Sequence, residues 1–290
     1  MTAIAGRLGA FACALAVIAS AAVGHLAHAQ TTPFASGTAG DLPVEILAED
    51  GIEWLQSEQV IRAHGNARAV RGDIEVKADT LSAHYREVAE GDSEVWRLVA
   101  SGNVVITAPS ETAYADRGVY DLDSAILILS SDDPSQPGRV RVVAENGRVT
   151  ADEQMEFWEL EDMLVARGNA RAEQEGRILR ADVLVAYLTE GSADGQRLDR
   201  VEAFDNVAIN TADERIFADR GVYLAETETA SLLGAVRITR GLNQLNGCRA
   251  DVDMKAGTSQ LIGCGDGDPS GRQVQGLIHP DGQPGRRSGN

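Results

Sequence analysis

The side chains in this chain with reactive chemistry are few. Beyond residue 30 they are His64, His84 and His279, Cys248 and Cys264, and all 44 Asp and Glu. Two carboxyls at a suitable separation suffice for glycoside hydrolysis, so Asp121 with Asp123 and Glu159 with Glu161 are formal acid and base candidates. An acidic chain supplies such pairs by accident, and none is joined to a recognisable motif. There is no Gly-x-Ser-x-Gly elbow, His-Glu-x-x-His, phosphate-cradling Gly-Lys-Ser/Thr loop or Cys-x-x-Cys. Gly265-Asp266-Gly267-Asp268 resembles part of a calcium loop but lacks the spaced ligands and terminal Glu of an EF-hand, and reads as a solvated acidic turn. Lys77 and Lys255 are the only lysines, so 24 of the 26 basic residues are Arg, which suit bidentate phosphate binding or ordinary cross-strand ion pairs. No catalytic residue, cofactor or metal site is expected, and the chain does not read as an enzyme.

Composition narrows the remaining classes. With Lys+Arg 26 against Asp+Glu 44, the 290 residues carry a formal charge of -18, which repels polyphosphate and disfavours nucleic acid as a partner. A hydrophobic fraction of 43% allows a buried core, while an aromatic fraction of 4% argues against an outer-membrane barrel with two aromatic girdles. Residues 1–29 have the layout of a secretory signal peptide: Arg7, an apolar run from Leu8 to Val23, and Ala27-His28-Ala29 before Gln30. Its removal takes away Arg7 and Cys13, leaving a charge of 25 minus 44, or -19, and two cysteines. In an oxidising compartment, Cys248 and Cys264 are candidates for a disulfide.

The elements that would carry any site are set by an internal duplication. Gly65-Asn66-Ala67-Arg68-Ala69 returns as Gly168-Asn169-Ala170-Arg171-Ala172, a shift of 103. Ala78-Asp79 and Ala115-Asp116-Arg117-Gly118-Val119-Tyr120 return at the same shift as Ala181-Asp182 and Ala218-Asp219-Arg220-Gly221-Val222-Tyr223. Upstream, Ala48-Glu49-Asp50-Gly51 is matched to Ala144-Glu145-Asn146-Gly147 at a shift of 96. A shorter echo relates Gly65-Asn66 to Gly102-Asn103 and Gly168-Asn169 to Asp205-Asn206, 37 residues apart, and Leu233-Gly234-Ala235-Val236-Arg237-Ile238 is a degenerate further copy. Alternation in Val104-Val105-Ile106-Thr107 and Val207-Ala208-Ile209-Asn210 indicates strands with one buried face. Gly-Asn tolerates positive φ and suits a tight turn that reverses one strand into the next. The expected organisation is a signal peptide (1–29), a linker (30–41), a β body (42–264) of two halves (about 42–138 and 139–264), and a loose Gly/Pro-rich tail (265–290).

Leu42-Pro43-Val44-Glu45-Ile46, Ala63-His64-Gly65-Asn66-Ala67, Ala78-Asp79-x-Leu81, Ala100-Ser101-Gly102-Asn103-Val104 and Ala115-Asp116-Arg117-Gly118-Val119-Tyr120 together resemble the LptA/OstA family of lipopolysaccharide export. The resemblance runs from about Leu42 to Cys264 and recurs in both halves. It implies an all-β fold, an elongated OstA-like two-sheet jellyroll stack of antiparallel strands whose apolar interior shields the acyl chains of lipid A. It further implies a periplasmic protein with an LptC-like inner-membrane partner and an LptD-like outer-membrane partner at its two ends. Open sheet edges also permit head-to-tail self-association. The late cysteines, the tail and the acidity depart from the family pattern and bear on terminal contacts.

From the alternation, Val104, Ile106, Val207 and Ile209 are expected to line the interior, with Val119 and Val222 from the duplicated Ala-Asp-Arg-Gly-Val-Tyr strand. At a charge of -19, binding should come from acyl-chain burial, about 25 cal/mol per Å² of apolar surface, with the headgroup at the mouth of the groove. A secreted β-solenoid adhesin or scaffold without a lipid is the alternative, and a polysaccharide-active enzyme the lesser one.

Overall fold

The computed structural model describes residues 44–89, 92–145, 147–190, 196–253, 255–256, 258–264 and 273–279. The expected signal peptide, linker and Gly265–Asp268 turn lie outside them. Among the described residues there are eighteen strands and no helix. The first half holds β1 (Glu45–Leu47), β2 (Gly51–Leu55), β3 (Val60–Arg71), β4 (Ile74–Ala89), β5 (Asp92–Thr107), β6 (Glu111–Asp121) and β7 (Ile126–Ser130). Then follow β8 (Val140–Ala144), β9 (Gly147–Ala151), β10 (Gln154–Trp158), β11 (Met163–Gln174), β12 (Arg177–Glu190) and β13 (Gln196–Asn210). The last are β14 (Glu214–Leu224), β15 (Thr229–Arg240), β16 (Asn243–Asp253), β17 (Thr258–Ile262) and β18 (Gln275–Leu277). All pair antiparallel, in one hydrogen-bonded sheet.

That sheet is folded in two. The first part of β3 pairs with β2 and its second part with β1, and the register slips between them at Gly65-Asn66. The same division runs through β4, β5, β6 and β11 to β16. Each of these ten strands therefore lends half its length to a front layer and half to a back layer. β2, β7, β10 and β17 complete the front layer, and β1, β8, β9 and β18 the back layer.

The kinks correct the expectation for Gly-Asn. These residues do not reverse the chain between strands; they bend single strands in the middle. Gly65 and Asn66 have φ of 77° and 45°, Gly102 and Asn103 77° and 48°, and Gly168 and Asn169 82° and 45°. Asp205-Asn206 and Gly234-Ala235 adopt the same pair of left-handed conformations without the full motif. Each Asn amide is held by a carboxylate on an adjoining strand or connection: Asn66 donates to Glu49 at 2.8 Å, Asn103 to Asp79 at 3.0 Å, Asn169 to Asp152 at 3.1 Å and Asn206 to Asp182 at 2.8 Å. The recurring Ala-Asp and Gly-Asn phrases are two halves of one corner.

The corners also revise the duplication upstream. Glu49 and Asp50 donate their N–H groups to Gly65 and His64, while Asp152 and Glu153 donate to Gly168 and Arg167. The counterpart of Ala48-Glu49-Asp50 is thus Ala151-Asp152-Glu153, at the uninterrupted shift of 103, and the match at 96 is displaced. The irregularity lies instead between β7 and β8, where Ser131–Arg139 takes the place of the single kink that β15 makes. Asp116 ties that loop down, accepting from Ser131 Oγ at 3.2 Å, the Asp132 N–H at 3.0 Å and Arg139 Nε at 3.2 Å. Burial opposes ionisation of Asp116, but these bonds hold its pKa below the ordinary value.

One expectation at the carboxyl end also changes. β18, inside the segment expected to be a loose tail, pairs with β16 through Gln244, Leu245 and Asn246. Cys248 on β16 and Cys264 after β17 stand with Cα atoms 5.0 Å apart, within disulfide range.

Candidate functional site

The space between the two layers is the candidate site, and its lining follows from strand parity. On each layer alternate residues point inward, giving one continuous apolar cluster from Val76 to Val252. The expected lining residues Val104, Ile106, Val207 and Ile209 belong to it, with exposures of 1%, 3%, 2% and 1%. Val119 and Val222 do not. They lie on the outer face of the front layer, between buried Gly118 and Tyr120 and between buried Gly221 and Tyr223. In β6 and β14 the kink leaves one residue unpaired, so the inward set of β6 shifts from Ala113 and Ala115 before it to Gly118 and Tyr120 after it. A single alternation drawn through the corner puts the second half on the wrong face.

Strand alternation missed the residues that fill the middle. Leu129 and Leu232 are fully enclosed, at 0% each, and Tyr223 at 2% and Tyr120 at 7% flank them. Leu129 reaches over Gly118, where an added Cβ would come within 3.3 Å of its Cδ2; Leu232 does the same over Gly221 at 3.2 Å. Val104 and Val207 approach the same two glycines from the back layer. The signal was present in the duplication, since Gly118, Tyr120 and Leu129 return as Gly221, Tyr223 and Leu232 at a shift of 103.

The interior is closed along the corners and bounded by polar groups along the opposite margin, where the hairpin turns of the two layers face each other. Gln174 and Glu214 are buried there, at 6% and 7%. Glu214 sits 3.5 Å from Arg240, and burial raises its pKa; burial alone raises that of its duplicate, Glu111. Tyr120 donates to Glu159 at 3.2 Å, and burial first, then the Glu159 charge, pushes its pKa up. A void of about 10 Å³ lies at this margin among Phe157, Trp158, Met163, Leu164 and Leu188, room for about one water. The lining is otherwise packed at the exposures quoted, so an occupant larger than water must separate the layers.

The residues considered for catalysis are dispersed. His64 Nε2 lies 3.4 Å from Glu53 on the exterior, and His84 faces Trp96 with ring centroids 6.1 Å apart. Asp121 is held by Ser124 and Arg97, which lower its pKa and suit an ion pair rather than a general acid; Asp123 binds Arg86. Glu159 is taken by Tyr120. Among the described residues, no group of three His, Cys, Asp or Glu is placed to hold a metal.

The model of a family described as "LptA/(LptD N-terminal domain) LPS transport protein" matches residues 46–146 and again 148–258. The two matches divide the chain at the β8–β9 hairpin. An uncharacterized protein of Rhizobium meliloti (strain 1021) is 26% identical over 121 residues, which is 39% of this chain and 63% of that protein. The chain thus spans a little under two thirds of that relative's length. Among solved structures, the crystal structure of LptH, the LptA homologous periplasmic component of the lipopolysaccharide transport device from Pseudomonas aeruginosa, aligns with 83% of this chain and 97% of its own, at 9% identity and a TM-score of 0.22.

Proposed function

The chain belongs to the LptA/(LptD N-terminal domain) LPS transport protein family, and from that premise we propose that it is a periplasmic lipopolysaccharide carrier that takes the acyl chains of lipid A between its two layers. The observation that carries this reading is the unbroken apolar cluster from Val76 to Val252, enclosed by corners on one side and reached past a polar margin on the other. Each methylene moved from water into that interior contributes about 0.8 kcal/mol, so several acyl chains supply the affinity without attraction between a phosphorylated headgroup and a chain of charge -18. Entry parts the layers at the margin, and the corners, where paired left-handed residues already bend the strands, act as the hinge. The phosphates stay outside at the margin.

The stack ends in unpaired strand edges, β1 and β2 on one side and β17 and β18 on the other. LptC-like and LptD-like partners, or a second copy of the chain, extend the sheet at these edges by β-augmentation and continue the interior. A Cys248–Cys264 disulfide pins the β17 edge where one such partner docks. Cleavage before Gln30 delivers the protein to the periplasm, and amino-terminal sequencing of the exported protein checks it.

Photo-crosslinkers placed one at a time test the interior. Leu129, Leu232, Ile106 and Ile209 should capture lipopolysaccharide, whereas Val119, Val222 and Val105 should not. Capture only from the second set would place the lipid outside the layers and overturn the reading.

A further inference from the structure

The charge of the exterior is divided between the layers, and the division is invisible in the total. Following the cross-strand register along the outer face of the back layer, the row nearest the corners contains Arg68, Lys77, Arg141, Arg171, Arg180 and Arg237 and not one carboxylate. The neighbouring row adds Arg148 and Arg215 against Glu45, Glu75 and Glu173, so the face carries 8 minus 3, a charge of +5, in a chain of -18. Glu75 and Glu173 bridge to Arg68, Lys77, Arg148 and Arg171, which leaves the remaining arginines of the face in excess; on the front layer the pairing is closer to even. Its exterior pairs Arg97 with Asp121, Arg167 with Glu156, Arg200 with Glu202 and Arg249 with Asp251.

Two further features of the back face bear on a ligand. Arg171 stands directly opposite Arg180; Glu173 bridges to Arg171 at 3.0 Å, and Arg180 forms no salt bridge among the described residues. Arg141 lies flat over Tyr114 at 4.0 Å and Arg237 over Phe217 at 4.8 Å. The two stacks are duplicates in register, one at the middle of the row and one toward its β15 end. Among the described residues, Arg141, Arg180, Arg215 and Arg237 form no salt bridge, although the chain has carboxylates in excess. Stacking holds the guanidinium plane and leaves its edge donors open to a ligand.

The shape of the row selects its occupant. From β8 to β15 are six strand steps, each about 4.8 Å wide and turned by about 20–25°, so Arg141 and Arg237 point in directions more than about 100° apart. A planar membrane cannot touch both; a flexible chain that winds with the sheet can. Nucleic acid, with a charge on every residue, meets the repulsion of the rest of the molecule. Sparse anions on a hydroxyl-rich chain fit a row in which arginines are interspersed with Thr150, Ala208, Asn246 and two aromatic rings.

We infer that the outer face of the back layer, centred on Arg141, Arg171, Arg180 and Arg237, binds a phosphate- or carboxylate-bearing oligosaccharide, the sugar portion of the same glycolipid whose acyl chains occupy the interior. The inference rests on the lipopolysaccharide reading and adds a second subsite to it.

The test is binding of de-acylated, phosphorylated lipopolysaccharide oligosaccharide to the full exported chain, wild type and R141Q/R180Q/R237Q, by calorimetry at low and moderate salt. The substitutions are on exposed side chains, and unchanged circular dichroism and melting temperature certify the fold. The wild type should bind with an affinity that falls as salt rises, and the triple variant should bind tenfold or more weakly. Equal binding by both proteins, or no binding by the wild type, overturns the inference. Poly-glutamate of similar charge is the control: equally tight binding, lost equally in the variant, would make the face a docking surface for acidic protein and overturn the saccharide assignment. Interior crosslinking to intact lipopolysaccharide reports separately on the acyl-chain reading, so the two ideas fail independently.

Discussion

At the scale of single residues, the corners do the organising, and each is a bargain between backbone strain and one carboxylate. Asp116 has the densest set of bonds, and because its folded pKa lies below the unfolded value, its contribution is present above about pH 3.8 and lost as pH falls through the folded value. Asp116→Asn should therefore lower stability by about 1–2 kcal/mol in urea unfolding at pH 7, and the gap from wild type should close as pH falls from 3.8 through the lower folded value. Gly118 is constrained by space rather than φ. Gly118→Ala should cost about 1 kcal/mol by pressing on Leu129, and most of it should return in the double variant Gly118→Ala with Leu129→Val, measured as a double-mutant cycle. Asp and Asn at recurring intervals were legible as a pattern. That Asn103 reaches Asp79, 24 residues back, was not, because the bond crosses between strands.

At the scale of elements, the long bent strand is the unit, and its halves serve different layers. Parity is kept through the kink in β5, β13 and β15, where two residues are left unpaired, and reset in their partners β6, β14 and β16, where one is. Deleting Asn206 removes one residue from the corner of β13 and would turn Val207 and Ile209 to the exterior. Loss of two such buried side chains costs at least about 3 kcal/mol, and the variant should melt at lower temperature with raised binding of a hydrophobic dye. Val119 and Val222 face outward for this reason, while Val104 and Ile106, which lie on one side of a corner, are buried between the layers. Fold class needed no such knowledge, since any period-two segment of sufficient length is a strand whichever way its faces point.

At the scale of the whole molecule, strands pack on their ladder neighbours, so stability accumulates along the stack and is weakest at the ends. The β17 end is where the two cysteines lie, 16 residues apart. An oxidised pair there removes about 3 kcal/mol of loop entropy from the unfolded chain, so Cys248→Ser, or wild type with a reductant, should lose up to that amount in urea, and the two should match. Equal stability with and without reductant in the wild type would mean that the thiols are free.

The sequence by itself determined the class of fold, the duplication at 103 residues, the recurrence of Gly-Asn and the total charge, because each depends only on residue type and spacing along the chain. Tertiary structure alone decided what those features mean in space. It assigned each half-strand an inner and an outer face, put Leu129 and Leu232 at the centre, and aligned arginines from β3 to β15 on a positive face of a negatively charged chain. The physical reason is the same in each case. A residue's face is set by the count of residues from the nearest corner, and its neighbours by hydrogen-bond register across strands, and neither is a property of the residue or of its local sequence.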